Sequence, residues 1–122
     1  MIEVMKGFPE HVVALKYSGH VTKGDYERIL IPAVENALKL HGKLRLLFRV
    51  GPEFELIEPG AVLEDIKVGF AHLSHWERVA VVTDVGWLKG AVRAFAFLIP
   101  GQIKFFSLSD TETAYRWIAE SK

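Results

Sequence analysis

The chain has 122 residues and a mass of 13.7 kDa, with half its residues hydrophobic and a quarter charged. That composition suits one globular domain spanning residues 1–122 and argues against disorder. Fifteen Lys and Arg balance fifteen Asp and Glu, so no broad electrostatic surface for nucleic acid is expected. The lack of cysteine excludes disulfides, thiolate catalysis and cysteine-held metal centres.

The predicted elements alternate between strand and helix. The first stretch, Met1 to Lys6, has an acid at position 3 and no basic region leading into an apolar run, so a signal peptide is not expected. Ile2 to Met5 reads as a short strand, Phe8-Pro9-Glu10 as a turn, and His11 to Val21 as a longer strand. Thr22, with Asp25 three residues on, is a capping box opening a helix to about His41. Tyr26, Ile29, Leu30, Ala33, Ala37 and Leu38 form its apolar face, and Pro32 should kink it. Leu44 to Val50 is the next strand, which Gly51-Pro52 should end.

Glu53 to Gly60 then reads as an irregular connection, and Ala61 to about Ser74 as a second helix. Glu77 to Thr83 is a strand with the buried centre Val79-Ala80-Val81-Val82. Gly86 to Ile99 is a third helix, stopped by Pro100-Gly101. Ile103 to Leu108 is the last strand, and Ser109 with Glu112 predicts a capping box for a fourth helix. Strands separated by single helices call for right-handed parallel crossovers. The expected fold is α/β, with a mostly parallel five-stranded sheet, one antiparallel N-terminal strand and four helices.

Two segments are candidates for function. On the third helix, Leu88, Ala91, Val92, Phe95, Leu98 and Ile99 make the core stripe. Lys89, Arg93 and Phe97 lie opposite, with Trp87 at the stripe's edge. Aromatic and cationic residues together suit a partner, an apolar ligand or a membrane surface. The connection after the third strand falls at the carboxyl edge of the sheet, where α/β folds build their sites. Its Phe54, Leu56 and Ile57 sit among Glu53, Glu55 and Glu58, as a lid over an apolar cavity would. The acids of this connection and the cations of the third helix could also attract one another, within a chain or between subunits.

Catalytic chemistry has little to rest on. His72 and His75 are three apart near the end of the second helix, but two histidines without a third ligand do not make a metal site. Asp84 follows a strand, where enzymes place acids, and equally suits the start of the third helix. No phosphate loop, nucleophile elbow or His-Glu-x-x-His is present. No catalytic residue, metal or cofactor is assigned.

Several stretches resemble the SpoIIAA-like proteins of bacteria, which share the STAS-type fold and are compared with CRAL-TRIO lipid-binding domains. They are Glu64-Asp65-Ile66-Lys67-Val68-Gly69, Trp76 to Asp84, Gly86-Trp87, Ile103-Lys104-Phe105-Phe106 and Ala114-Tyr115-Arg116-Trp117-Ile118. The resemblance implies a repeated β-α superhelical turn and a non-enzymatic role, either regulatory or in binding an apolar ligand. Anti-sigma-factor antagonists of the STAS type carry a phosphorylatable serine where the third strand meets the second helix. Residues 51–65 here contain neither serine nor threonine, so a kinase switch at that place is not expected.

The expectation is a cytoplasmic module that binds a lipid or another hydrophobic molecule, with ligand or lid residues Phe54, Leu56 and Ile57. Trp87, Lys89, Arg93 and Phe97 would form a membrane or partner edge, with at most peripheral membrane contact. The alternative is a STAS-like protein-interaction module, docking a protein partner or forming a homodimer through the same edge.

Overall fold

The computed structural model describes residues 1–58, 75–96 and 101–120, with residues 91, 92 and 94–96 described by backbone alone. Five strands form one sheet in the order β1-β2-β3-β4-β5: β1 Ile2–Val4, β2 Val12–Val21, β3 Leu44–Ile57, β4 Trp76–Thr83 and β5 Gln102–Phe106. β1 pairs antiparallel with β2, and all later neighbours are parallel. The described helices are α1 Lys23–Asp25, α2 Ile31–Leu40, α3 Gly86–Ala96 and α4 Thr111–Ala119. The predicted second helix, 61–74, lies outside the described residues.

Strand order explains the layering. From β2 to β5 each parallel strand is laid beside the one before it, and right-handed connections of this kind put α2 and α3 on one face of the sheet. On that face Val13, Leu15, Tyr17, Leu44, Leu46, Val50, Val79 and Val81 pack with Tyr26, Leu30, Val34 and Leu88 of the helical segments. α4 follows the last strand and closes no crossover, so it is free to cover the other face. There Val12, Ala14, Leu47, Ala80 and Val82 meet Ala114, Trp117 and Ile118. The alternation of strand residues between two apolar faces is why these strands read as nearly continuous hydrophobic runs. Small Ala14, Ala80 and Ala114 let α4 lie close to the sheet. Trp76 joins the first core, on the same side as Val79. It can do so because the register shifts between Leu44↔Trp76 and Arg45↔Arg78, giving β4 one extra residue there.

Thr22 caps α1 as the sequence predicts. The Asp25 N–H donates to Thr22 Oγ1 at 3.1 Å, and the Thr22 N–H donates to Asp25 Oδ2 at 2.9 Å. Pro32 acts through a π-helical turn, Tyr26–Leu30, set between α1 and α2. The Ile31 N–H donates to the Tyr26 carbonyl, and that wider turn makes room for a residue with no N–H to offer.

Two expectations are corrected. Gly51-Pro52 does not end the third strand, which runs on through Ile57. Between the pairs Tyr17↔Val50 and Gly19↔Phe54, β2 advances two residues while β3 advances four. Between Gly19↔Phe54 and His20↔Leu56 it advances one against two. Bulges take up the surplus, and in a bulge the missing N–H of Pro52 interrupts no ladder bond. Gly19 turns the β2 side with φ +56°. The second correction concerns residues 109–112, where no side chain caps α4. A 3₁₀ turn, Leu108–Asp110, leads into the helix instead, with Thr111 Oγ1 donating to the Leu108 carbonyl at 2.6 Å.

The entry to β5 is tight. A Cβ on Gly101 would overlap the main-chain carbonyls of Trp76 and Glu77. Gly101→Ala is therefore expected to cost about 1–3 kcal/mol, read from urea denaturation. An unchanged midpoint would mean that this crossing can spread at no cost.

Candidate functional site

The carboxyl edge of the sheet is built differently from the predicted lid. β4 ends at Thr83, opposite Val50, so Gly51–Ile57 extends past it with β2 as its strand neighbour among the described residues. The end of the extension is tied down by the Glu58 N–H, which donates to the Val21 carbonyl at 2.9 Å. The predicted trio does not converge. Phe54 and Ile57 are half-buried against the first core. Leu56 pairs with His20, is 42% exposed and joins neither core. The bulge between Phe54 and Leu56 turns successive side chains in this way, so 54 and 57 share a face although they are three residues apart.

Trp87, in the first turn of α3, meets Phe54. Their ring centroids are 6.2 Å apart with the planes tilted by 41°. Trp87 is nonetheless 57% exposed, whereas Trp76 and Trp117 are 2% and 7% exposed. Lys89 is half-buried and Arg93 exposed. The Arg93 guanidinium lies 4.9 Å over the ring of Phe105 in β5. Phe97 lies outside the described residues. Two of the predicted residues, half-buried Phe54 and exposed Trp87, are thus brought into one aromatic pair.

The acids of the extension are answered by β2. Glu53 Oε1 lies 3.4 Å from Lys16 Nζ, and Glu55 Oε1 lies 3.6 Å from His20 Nε2. The Glu53 carboxyl is held below its ordinary range by its own backbone N–H, then by Lys16 and by the charge of Arg49. Asp84 is exposed and accepts the Leu108 N–H at 3.1 Å. It ties the end of β4 to the segment leading into α4. The turn into α3 is served by Thr83, fully buried, whose Oγ1 accepts the Val85 N–H at 3.0 Å. His75 Nδ1 bonds the Gly42 carbonyl at 2.8 Å. His72 lies outside the described residues. Among the described residues no three His, Asp or Glu side chains are grouped to hold a metal. No helix among them is long and apolar enough to cross a membrane.

Sequence reasoning passed over two features. Tyr17 and Tyr26 join their hydroxyls at 2.8 Å within the first core, with Phe48 edge-on to Tyr17. Arg45 is 4% exposed in the middle of an apolar strand. Its position inside the run Leu44-Arg45-Leu46-Leu47 was the available signal, because a buried arginine needs partners for its donors.

The chain matches the family model described as SpoIIAA-like over residues 12–119. Among solved structures it is similar to an uncharacterized protein from the DUF3478 family with a SpoIIAA-like fold, from Shewanella loihica. The TM-score is 0.74 at 27% identity, covering 97% of this chain and 92% of that one. No curated protein matches.

Proposed function

The chain belongs to the SpoIIAA-like family, and we propose that it is a non-enzymatic module binding a lipid or another hydrophobic molecule at the carboxyl edge of its sheet. The observation that carries this reading is Trp87, 57% exposed against Phe54. Covering a large aromatic surface left in water with an apolar group lowers the free energy. Lys89 and Arg93 follow on the same helix, which favours a ligand or surface with an anionic headgroup next to its apolar part. Peripheral membrane contact through this edge is part of the proposal. So is an apolar cavity behind the aromatic pair, bounded by Ile57 and α3.

Tryptophan fluorescence tests the reading directly, because the other two tryptophans are already buried. Oleate, phosphatidylcholine vesicles and phosphatidylglycerol vesicles would each be titrated in. A blue shift is expected in the wild type and not in Trp87→Phe. Trp87→Ala is expected to weaken the interaction by at least about tenfold. Native mass spectrometry of the purified protein should release a lipid-sized species at high activation. No shift with any probe together with a clean protein mass would overturn the proposal and favour docking of a protein partner or a second copy through the same edge.

A further inference from the structure

On the sheet face away from the Phe54–Trp87 pair, Lys16 and Arg49 are register partners on neighbouring parallel strands. Lys16 continues the alternation of Val12 and Ala14, and Arg49 that of Leu47, so both belong to the face that α4 covers farther along. Two like charges directly across a strand pair repel, and such an arrangement calls for an anion. Glu53 supplies it from the bulge, with its carboxylate 3.4 Å from Lys16 and under the influence of the Arg49 charge.

The backbone makes room for this. A Cβ on Gly51 would come within 2.8 Å of Glu53 Oε2 and 3.3 Å of Arg49 Nη1. With no side chain at 51, the Glu53 carboxylate and the Arg49 guanidinium can both sit close to that position. Glu53 is about half exposed, and it lies in the stretch between Val50 and Phe54 that has no register partner on β2. It can leave its cations without breaking the ladder. Arg49 is level with Val82, next to the carboxyl end of β4, and it is toward that end that sheets of this class receive ligands.

We propose that Lys16 and Arg49 form a binding site for a single phosphate group, with Glu53 acting as an internal counter-anion that an incoming phosphate displaces. The guanidinium fork takes two phosphate oxygens and the ammonium a third. Surface ion pairs of this kind are weak, so the carboxylate is a removable competitor. The site stands apart from the aromatic edge, and the loss of either proposal leaves the other intact.

The test is a titration with inorganic phosphate at constant ionic strength, followed by ¹H–¹⁵N spectra of the wild type, Glu53→Gln, Glu53→Gln/Lys16→Gln and Glu53→Gln/Arg49→Gln. The dispersion of the same spectra shows whether each variant is folded. Saturable shifts around Gly51 are expected in Glu53→Gln, with affinity about fivefold above the wild type, and are lost in both double variants. A parallel arm sediments the same proteins with phosphatidic acid vesicles against phosphatidylcholine vesicles. Cation-dependent binding in that arm alone identifies a lipid headgroup as the source of the phosphate. No saturable phosphate shift and no cation-dependent sedimentation in Glu53→Gln, or binding unchanged when the cations are replaced, would overturn the proposal.

Discussion

Val81→Asp is expected to remove most of the folding free energy. Val81 is 4% exposed in β4, with Phe48 of β3 and Phe105 of β5 as its register partners, and it faces the first core. A carboxylate there loses its water, and among the described residues the first core contains no cation to pair with it. The buried or nearly buried arginines 45 and 78 bond to the end of α4 on the opposite side of the sheet. An unpaired buried charge or polar group costs several kcal/mol, against a total of about 5–15 kcal/mol for a domain. The expected loss is at least about 4 kcal/mol. Val81→Ala, which only leaves a small cavity, should cost about 2 kcal/mol. Urea denaturation of both variants separates the two effects. Burial raises the pKa of the new carboxyl, so the folded state tolerates its neutral form better. The deficit should therefore shrink as pH falls toward the unfolded carboxyl's range. A soluble, cooperative Val81→Asp protein of near-native stability would mean that β4 is not central.

How legible this fold was depended on which signal carried each element. The sheet and its helices follow from periodicity. Val79-Ala80-Val81-Val82 can be buried on both faces only if something packs on each side, and the two cores are the result. Punctuation signals were less reliable. Gly51-Pro52 looks like the end of a strand because both residues break ladders, but the bulge against Gly19 uses the same two properties to keep the strand going. Ser109 with Glu112 has the spacing of a capping box, yet the 3₁₀ turn before α4 moves the helix start to Thr111. For the candidate site, Phe54 and Trp87 were each visible as apolar residues among charges. Their meeting depends on the three surplus residues that the register places in β3, which no local pattern encodes. The same surplus sends Leu56 to the other side. The Lys16–Arg49 opposition is likewise a matter of register, since those residues stand far apart in the chain.

Arg45→Met is expected to cost about 3–5 kcal/mol, the range found when one member of a buried charged network is removed. Arg45 Nε donates to Glu77 Oε1 at 2.6 Å, and its Nη1 donates to the carbonyls of Ile118 at 2.9 Å and Glu120 at 2.5 Å. Arg78 adds a bond from Nη1 to the Trp117 carbonyl at 2.7 Å and one to Glu120 Oε1 at 3.0 Å. The last carbonyls of a helix have no partner within it. Here two arginines standing on the sheet close them, and cations also suit the negative end of the helix dipole. Methionine keeps the apolar stem of Arg45 but takes the donor from the buried Ile118 carbonyl and from the part-buried Glu120 carbonyl. Glu77→Gln spares the helix end and should cost only about 1 kcal/mol, because Glu77 is over a third exposed. The double variant should then be no less stable than Arg45→Met alone. A Glu77→Gln loss equal to that of Arg45→Met would instead place the energy in the ion pair. The acid limb provides a second readout. Glu77 is held below its ordinary pKa, first by the hydrogen bond from Arg45 and then by the neighbouring charges of Arg45, His11 and Arg78. A lowered carboxyl pKa contributes stability that is fully present above the unfolded value and lost as pH falls through the folded one. In Arg45→Met that part of the acid dependence should flatten, while the deficit from the open helix end persists at every pH.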